Sequence, residues 1–160
     1  MPVAGGLLVK HFGGCHCGRV KFTFEAPAEI EAVECNCSIC SKSGFLHLIV
    51  PRSRFVLLQG SEFLSTYTFN TGVAKHFFCK ICGIKSFYIP RSNPDGYSIN
   101  VRCLEPSTIT STTVRPFDGK NWEEHAAELA SLSATPDDRP RATLPEPTGI
   151  VCPKITKPSG

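Results

Sequence analysis

The sequence predicts a small, mainly β domain, mostly antiparallel, that is stapled by zinc and carries one C-terminal helix. Three observations lead to this fold class. The chain has 160 residues, the length of one ordinary domain. Short segments rich in β-branched and aromatic residues alternate with dense groups of turn formers. Seven of the nine cysteines fall in three tight groups, a spacing typical of metal ligands.

The strand predictions rest on alternation and on turns. Val20, Phe22 and Phe24 alternate with polar residues, so one face of this segment is apolar. The segments Phe63–Asn70 and Val73–Phe78 flank an Asn-Thr-Gly turn and predict a hairpin. Five further segments have the composition of short strands: Phe45–Val50, Phe55–Leu58, Ile84–Ile89, Tyr97–Val101 and Thr108–Val114.

One helix is predicted, from Trp122 to Ser131. Asn121 is a suitable N-cap, a glutamate follows three residues later, and the apolar residues that come next have helical spacing. We therefore predict a single zinc-binding domain over residues 11–132. The remaining residues, 133–160, contain six of the thirteen prolines and few apolar residues, which predicts a flexible tail.

Composition argues against several classes of protein. Hydrophobic residues make up 41% of the chain and charged residues 19%, values typical of a soluble globular protein. There is no run of about 20 apolar residues, so no membrane-spanning helix is predicted. The N-terminus lacks a basic leader and a long apolar stretch, so we expect a cytoplasmic protein. A net charge of +3 is too small to indicate nucleic acid as a partner.

The cysteines predict metal binding rather than disulfide bonds. Their number is odd and no secretory signal precedes them. Seven thiolates around two zinc ions would offset the formal charge of +3, so the basic excess need not mark a surface for nucleic acid. Zinc suits these ligands better than iron, because a Cys-x-Cys pair differs from the paired Cys-x-x-Cys knuckles of a lone iron site.

Cys79, Cys82 and Gly83 have the composition of a zinc knuckle. Two thiolates three residues apart can hold one metal ion where the chain turns sharply, and the glycine permits that turn. A tetrahedral site needs two more ligands. Cys15 and Cys17 can supply them, because residues i and i+2 of an extended chain point to the same side. The alternative is that either pair is buried as small apolar side chains.

Cys35, Cys37 and Cys40 supply three thiolates from six residues, and no fourth ligand is obvious nearby. Zinc sites with three protein ligands and one open position are typical of catalysis. The alternative is a second structural site that a distant residue closes. Cys103 is the first candidate for this ligand, and His47 is the second.

Two histidines lie close to the cysteines in the sequence but are not predicted as ligands. His16 stands between Cys15 and Cys17, and strand alternation turns it away from their metal ion. His76 precedes Cys79 by three residues, which points it to the opposite face of a strand. Both are predicted to lie at the surface or behind the ligands.

The order and spacing of these motifs resemble the glutathione-dependent formaldehyde-activating enzyme family, which includes the conserved domain of centromere protein V. The motifs are Gly13-Gly-Cys-His-Cys-Gly18, Cys35-Asn-Cys-Ser-Ile-Cys40 and Phe78-Cys-Lys-Ile-Cys-Gly83. Three other segments are especially similar to the centromere protein V branch: Tyr67–Thr71, Arg91–Gly96 and Arg102–Leu104. The resemblance covers roughly residues 11–130.

The resemblance implies a zinc-stapled β fold of the Mss4-like or β-tent kind and carbon–sulfur lyase chemistry. The named reaction joins glutathione and formaldehyde reversibly into S-hydroxymethylglutathione. The implied structural zinc corresponds to Cys15, Cys17, Cys79 and Cys82, and the second zinc to Cys35, Cys37 and Cys40. The partner is then a small thiol such as glutathione, and no catalytic residue is assigned beyond the second zinc site. Glutathione carries carboxylates, for which the basic candidates are Lys42, Arg52, Arg54, Arg91 and Arg102.

Three functions are weighed from the sequence. The first is a zinc enzyme in which the metal either holds a thiolate nucleophile or polarises a carbonyl, and the sequence does not choose between these. The second is a zinc-stapled binding module, as the likeness to centromere protein V suggests for chromatin, which would place the protein in the nucleus. The chain lacks the block of basic residues that such a module would use on phosphates. The third, a redox protein using Cys79 and Cys82, is disfavoured because no βαβ pattern surrounds them.

Overall fold

The structure, a computed structural model, describes residues 6–134 and contains two β-sheets. The smaller sheet has three antiparallel strands in the order β1-β2-β5. Its strands are β1 (Leu8–Gly14), β2 (Lys21–Pro27) and β5 (Phe55–Gln59). This sheet turns the aromatic side chains of β2 inward and leaves much of β5 exposed.

The larger sheet has seven strands in the order β10-β3-β4-β9-β8-β7-β6. The strands are β3 (Glu29–Cys35), β4 (Leu46–Pro51), β6 (Leu64–Tyr67), β7 (Lys75–Cys79), β8 (Phe87–Ile89), β9 (Gly96–Asn100) and β10 (Ser111–Phe117). All neighbours are antiparallel except β10 and β3, which run parallel. Pro116 lies on β10 at the edge of the sheet, where the missing N–H removes no ladder bond.

The helices are short. α1 spans Ser38–Ser43 between β3 and β4, and α2 (Trp122–His125) and α3 (Ala127–Ala130) follow β10. Single 3₁₀ turns occupy several of the connections. No helix within residues 6–134 is long and apolar enough to cross a membrane.

An aromatic core joins the two sheets. The Phe55 ring lies at its centre, with centroid distances of 5.2 Å to Phe22, 4.8 Å to Phe87 and 4.5 Å to Tyr97. Burying one such side chain stabilises the fold by roughly 1.5–3 kcal/mol. Cys79 is part of this core and is 0% exposed. Cys15, Cys17 and Cys82 pack against this core, so the cysteines of the first and third motifs are anchored in it.

The predicted fold class is confirmed: the protein is mainly β, mostly antiparallel, with few helices. The hairpin is also confirmed, since β6 and β7 pair antiparallel from Leu64 opposite Cys79 to Tyr67 opposite His76. The turn between them contains two residues in the left-handed region, Asn70 with φ 52° and a glycine with φ 71°. The turn signal in the sequence was therefore a true one.

Three predictions about elements are corrected. β1, β3 and α1 were not predicted, and the predicted strand Thr108–Val114 begins later, at Ser111, because its first residue ends a 3₁₀ turn. The helix from Trp122 is interrupted after His125. The Asn121 side chain makes no cap bond and instead donates to Asp118 Oδ2 at 2.7 Å. The bond to Asp118 orients the Asn121 amide, and the predicted N-cap bond is not formed.

The predicted tail lies outside the described residues, except for its first two positions. Ser133 is buried, donates to Asp95 Oδ1 at 2.7 Å and accepts from the Asn93 side chain at 2.8 Å. The packed domain therefore extends at least to this residue, one position beyond the predicted boundary at 132.

Candidate metal centres

The first cysteine cluster joins the two sheets. Cys15 and Cys17 follow β1, whereas Cys79 is the last residue of β7 and Cys82 lies in the turn after it. The four sulfur atoms lie within 4.8 Å of one another. The Cys15 and Cys17 sulfurs are 3.5 Å apart, and the Cys17 and Cys79 sulfurs are 3.7 Å apart. A metal ion here would connect segments that are 62 residues apart in the chain.

The turn that carries Cys82 depends on Gly83. The φ of this glycine is 76°, in the left-handed region, and its N–H donates to the Cys79 carbonyl at 2.7 Å. The Cys79 N–H donates to the Ile84 carbonyl at 3.0 Å, which closes the turn. The knuckle predicted from the sequence is therefore formed, and glycine is the residue that its backbone favours.

The backbone stabilises a negative charge on the first cluster. A hydrogen bond from the Arg19 N–H lowers the pKa of Cys17 to about 6. Burial raises the pKa of Cys15 to about 11, although the Val20 N–H donates to its sulfur at 3.3 Å. Of these two thiols, Cys17 is therefore ionised near neutral pH, which is the form that binds a metal.

The second cysteine cluster is built around α1, the helix that the sequence did not reveal. Cys35 is the last residue of β3, Cys37 immediately precedes α1, and Cys40 is buried within it. Their three sulfur atoms lie within 4.8 Å of one another. α1 ends at Gly44, whose φ is 63° and whose N–H donates to the Cys40 carbonyl at 3.0 Å. The short helix thus folds the chain back and brings the three thiols together.

The turn after β10 holds this segment in place. Asn36 donates from its side-chain amide to Asp118 Oδ1 at 3.0 Å, and its side-chain oxygen accepts from the Lys120 N–H at 3.0 Å. Gly119 lies between these two partners. A Cβ atom at this position would overlap the Cys35 sulfur. The turn therefore forms a cradle around the sulfur atoms. Only glycine at position 119 leaves enough space in this cradle for the Cys35 sulfur.

The three thiols of the second cluster share one negative charge. Hydrogen bonds from the Cys35 and Cys40 thiols hold the pKa of Cys37 far below its ordinary value. The same interactions, with a contribution from burial, raise the pKa values of Cys35 and Cys40. Deprotonating all three thiols therefore requires a bound cation.

Both sets of sulfur atoms fit a zinc ion. Thiolates bind tetrahedral zinc at about 2.3 Å and so lie about 3.8 Å from one another, close to the separations measured in the first cluster. All eight cysteines within residues 6–134 are free thiols. One metal ion could be held by four of them, Cys15, Cys17, Cys79 and Cys82, and another by three, Cys35, Cys37 and Cys40.

Cys103 does not join the second cluster, so its place as first candidate for the fourth ligand is corrected. It lines a cavity of about 500 Å³ on the side of Cys15. Burial, with a contribution from Cys82, raises its pKa to about 11. The long connection after β9 turns this residue toward the first cluster. The side chain that does approach the second cluster is His47, whose Nε2 lies 3.2 Å from the Cys40 sulfur.

His47 connects the second cluster to a buried polar network. Its Nδ1 lies 2.9 Å from Ser98 Oγ and 3.4 Å from the Tyr88 hydroxyl oxygen. Burial lowers the pKa of His47 to about 3, so the ring is neutral at pH 7. A neutral ring can donate from Nε2 to the Cys40 sulfur while Nδ1 accepts from the Ser98 hydroxyl. His47 can thereby orient the sulfur without adding charge.

Sequence reasoning missed Lys85 and left two positions open for His76. His16 is exposed, as predicted, but His76 is only 4% exposed, and the Lys85 Nζ lies 2.6 Å from its Nδ1. Of the two positions predicted for His76, at the surface or behind the ligands, its burial excludes the surface. The available signal was the single charge of Lys85 inside a mostly apolar strand candidate. Nothing in the sequence indicated that it lies near the second cluster.

Two of the basic candidates for a carboxylate-bearing substrate have partners within the protein. Arg91 stacks 3.4 Å from the centroid of the Trp122 ring and pairs with Glu123 at 3.5 Å. Arg52 donates to the Pro94 carbonyl at 3.2 Å. The other three candidates, Lys42, Arg54 and Arg102, form no ion pair within residues 6–134, so their charges are available to a ligand.

We expect the purified protein to bind two zinc ions per chain. Three thiolates bind zinc more weakly than four, so increasing chelator should remove one ion well before the other. Elemental analysis should find two ions in the wild type, two in Cys103→Ser and one in Cys37→Ser. Finding one ion or none in well-folded wild type that has met no chelator would contradict the two-site interpretation.

Comparisons with known proteins cover the same part of the chain. Residues 10–120 match the family model described as glutathione-dependent formaldehyde-activating enzyme, a span that contains all seven clustered cysteines and Gly119. The chain is also similar to a Rhodobacter sphaeroides protein of known crystal structure, with 34% sequence identity and a TM-score of 0.52. That match covers 64% of this chain and 99% of the other. The chain belongs to the glutathione-dependent formaldehyde-activating enzyme family.

Proposed function

We propose that this protein is a zinc-dependent carbon–sulfur lyase acting on the adduct of glutathione, or a related thiol, with a small aldehyde. Family membership implies an enzyme of glutathione–formaldehyde adducts. The observation that carries the finer proposal is the second cluster, which offers three thiol ligands where the first offers four. Zinc sites with three protein ligands are typical of catalysis, because the fourth position is left to water or substrate.

Cys35, Cys37 and Cys40 would hold the zinc ion of this reaction. When bound, zinc supplies a Lewis acid that lowers the pKa of a thiol and can polarise a carbonyl group. The thiolate of the substrate is the nucleophile toward an aldehyde carbon. The four thiols of the first cluster would hold a structural ion and take no part in the chemistry.

The protein surrounds one side of the second cluster with buried rings. The Phe45 and His47 centroids are 4.6 Å apart, and Tyr88 meets Phe45 edge-on at 5.2 Å. All three side chains are buried. Such a wall excludes water, and charges interact more strongly where water is excluded. The wall and the contact from His47 to Cys40 together support a site that stabilises a thiolate.

We expect glutathione to bind the zinc-loaded protein with an affinity that rises with pH. A free thiol has a pKa of about 8.5 and must lose its proton to bind as thiolate, so the association constant should rise about tenfold between pH 6.5 and pH 7.5. Isothermal titration calorimetry with glutathione at the two pH values measures this change.

The variant Cys40→Ser should abolish glutathione binding at both pH values and still unfold cooperatively. Cys103→Ser removes a thiol that belongs to neither cluster and should bind as the wild type does. If the wild type binds no glutathione, or Cys40→Ser binds equally well, the second cluster is structural. The protein would then be a zinc-stapled binding module. The observation that favours this second candidate is the 3.2 Å approach of His47 to Cys40, since a histidine ligand would close the site.

A further inference from the structure

Lys85 is a largely enclosed cation with no carboxylate partner in the described part of the chain. Its Nζ lies 4.1 Å from the centroid of the Tyr88 ring and 4.9 Å from that of Phe45. The same Nζ lies 2.6 Å from His76 Nδ1. Within residues 6–134, Lys85 forms no ion pair with an aspartate or a glutamate. Enclosing a charge without a partner is costly in free energy. No salt bridge offsets this cost for the described contacts of Lys85.

The pocket that holds Lys85 borders the second cluster. The rings of Phe45 and Tyr88 also pack against His47, with centroid distances of 4.6 Å and 5.7 Å. His47 in turn contacts the Cys40 sulfur. Burial lowers the pKa of Lys85 to about 8, and the negative charge that the second cluster carries opposes this shift. Phe45 and Tyr88 therefore contact both Lys85 and the histidine that reaches Cys40, which places the ammonium group beside the second cluster.

Lys85 has hydrogen-bond donors to spare. An ammonium group carries three N–H donors and no acceptor. One reaches His76, and no other acceptor within residues 6–134 is bonded to Nζ. Burial lowers the pKa of His76 to about 3, so this ring stays a neutral acceptor and keeps the lysine oriented. Two donors thus remain for oxygen atoms of a bound ligand.

We propose that Lys85 binds and protonates the oxygen of the aldehyde carbon in the carbon–sulfur step, with His76 as its positioning residue. This inference rests on the proposed function. In adduct formation, an electron pair of the thiolate sulfur forms the C–S bond. The C=O π pair moves to the oxygen, which takes a proton from the Lys85 ammonium. The resulting amine then takes the proton that the next thiol loses on binding.

Cleavage follows the same path in reverse. The hydroxyl proton passes to the Lys85 amine, the C=O bond forms again, and the pair of the C–S bond returns to the sulfur. Among the oxygen atoms of the ligand, this one is the nearest to the sulfur. In an S-hydroxymethyl thiol it is two covalent bonds from the sulfur, whereas the carboxylates of glutathione are several bonds further away.

The test compares Lys85→Met with Lys75→Met. Methionine keeps an unbranched apolar stem against the rings, and Lys75 is the exposed neighbour of His76 on β7. Formation and cleavage rates come from exchange NMR with ¹³C-labelled formaldehyde and glutathione, and the glutathione Kd comes from calorimetry. Removing a donor to a developing oxyanion slows catalysis by about 100-fold or more. Lys85→Met should react about 100-fold more slowly or worse, and should keep both zinc ions and the wild-type Kd for glutathione. Lys75→Met should keep the zinc ions, the Kd and the wild-type rate.

Two variants test the role of His76. His76→Phe keeps a ring between Tyr88 and Phe69 but has no acceptor for Lys85, so the rate should fall while the glutathione Kd holds. His76→Asn supplies a side-chain oxygen as acceptor and should recover part of the rate. A merely structural histidine would show the opposite order, because phenylalanine preserves the packing better than asparagine.

The remaining outcomes separate the two proposals. A Lys85→Met enzyme with the wild-type rate overturns the inference and leaves the proposed function intact. A Lys85→Met enzyme that loses both the rate and glutathione binding also overturns the inference, because Lys85 would then bind another part of glutathione. The proposed function would again stand. A wild type that binds no glutathione, or binds it without turnover, overturns the proposed function and the role of Lys85 with it.

Discussion

Replacing Cys79 with serine should leave no folded domain. Cys79 is 0% exposed in the aromatic core and shares its cluster with Cys15 and Cys17 from the other sheet. The free energy of binding a structural zinc ion appears as folding free energy and is on the order of 10 kcal/mol, as large as the whole stability of a typical domain. Circular dichroism during heating should show no cooperative transition, and zinc analysis should find the first site empty.

Two other cysteine variants serve as controls for this effect. Cys103→Ser replaces a half-buried thiol near the same cluster and should melt close to the wild type. Cys37→Ser should lose the second zinc and keep the fold, because the three cysteines of its cluster lie within six residues and close no long loop. Equal losses of thermal stability in Cys79→Ser and Cys37→Ser would contradict this division between a structural and a functional ion.

Replacing Gly119 with alanine should empty the second metal site and spare the first. The added Cβ would overlap the Cys35 sulfur and lie 3.1 Å from the Cys37 Cβ, so the thiols could no longer close around an ion. Gly119 lies in the turn after β10. The three atoms nearest to its added Cβ belong to Cys35 and Cys37, and none belongs to the first cluster. Zinc content should fall from two ions to one per chain, and glutathione binding should disappear.

Lys120→Ala is the matched control for this variant. It changes the next residue, which is exposed, and keeps the backbone N–H that donates to Asn36. This variant should retain both ions and bind glutathione. A Gly119→Ala protein that still carries two zinc ions would show that the turn can move aside, and the cradle would then not control the site.

Local patterns were enough to predict the cysteine clusters and much of the sheet. Cys79 and Cys82 lie three residues apart with a glycine behind them, and such short-range geometry is the same wherever the motif occurs. The hairpin of β6 and β7 was readable for the same reason, because its turn residues dictate a left-handed backbone. The pairing of this knuckle with Cys15 and Cys17 followed from the number of ligands that zinc needs.

Elements that depend on distant partners could not be read in this way. β3 pairs in parallel with β10, about eighty residues later, and neither strand signals the other. β1 contains two adjacent glycines, which weaken any local strand preference, and it forms only because β2 pairs along its whole length. α1 has six residues, too few for helical periodicity to show.

The functional surroundings of the second cluster were decided almost wholly by tertiary structure. Gly119 reaches Cys35 only through the parallel pairing of β10 with β3. Lys85 and His76 meet because β7 and β8 are neighbours in the larger sheet. They bear on the second cluster only because the same sheet places His47 of β4 nearby. The sequence by itself determined which thiols could bind metal, because ligand spacing is a local property. Which cation, ring and glycine surround those thiols depends on long-range packing, which a single sequence does not display.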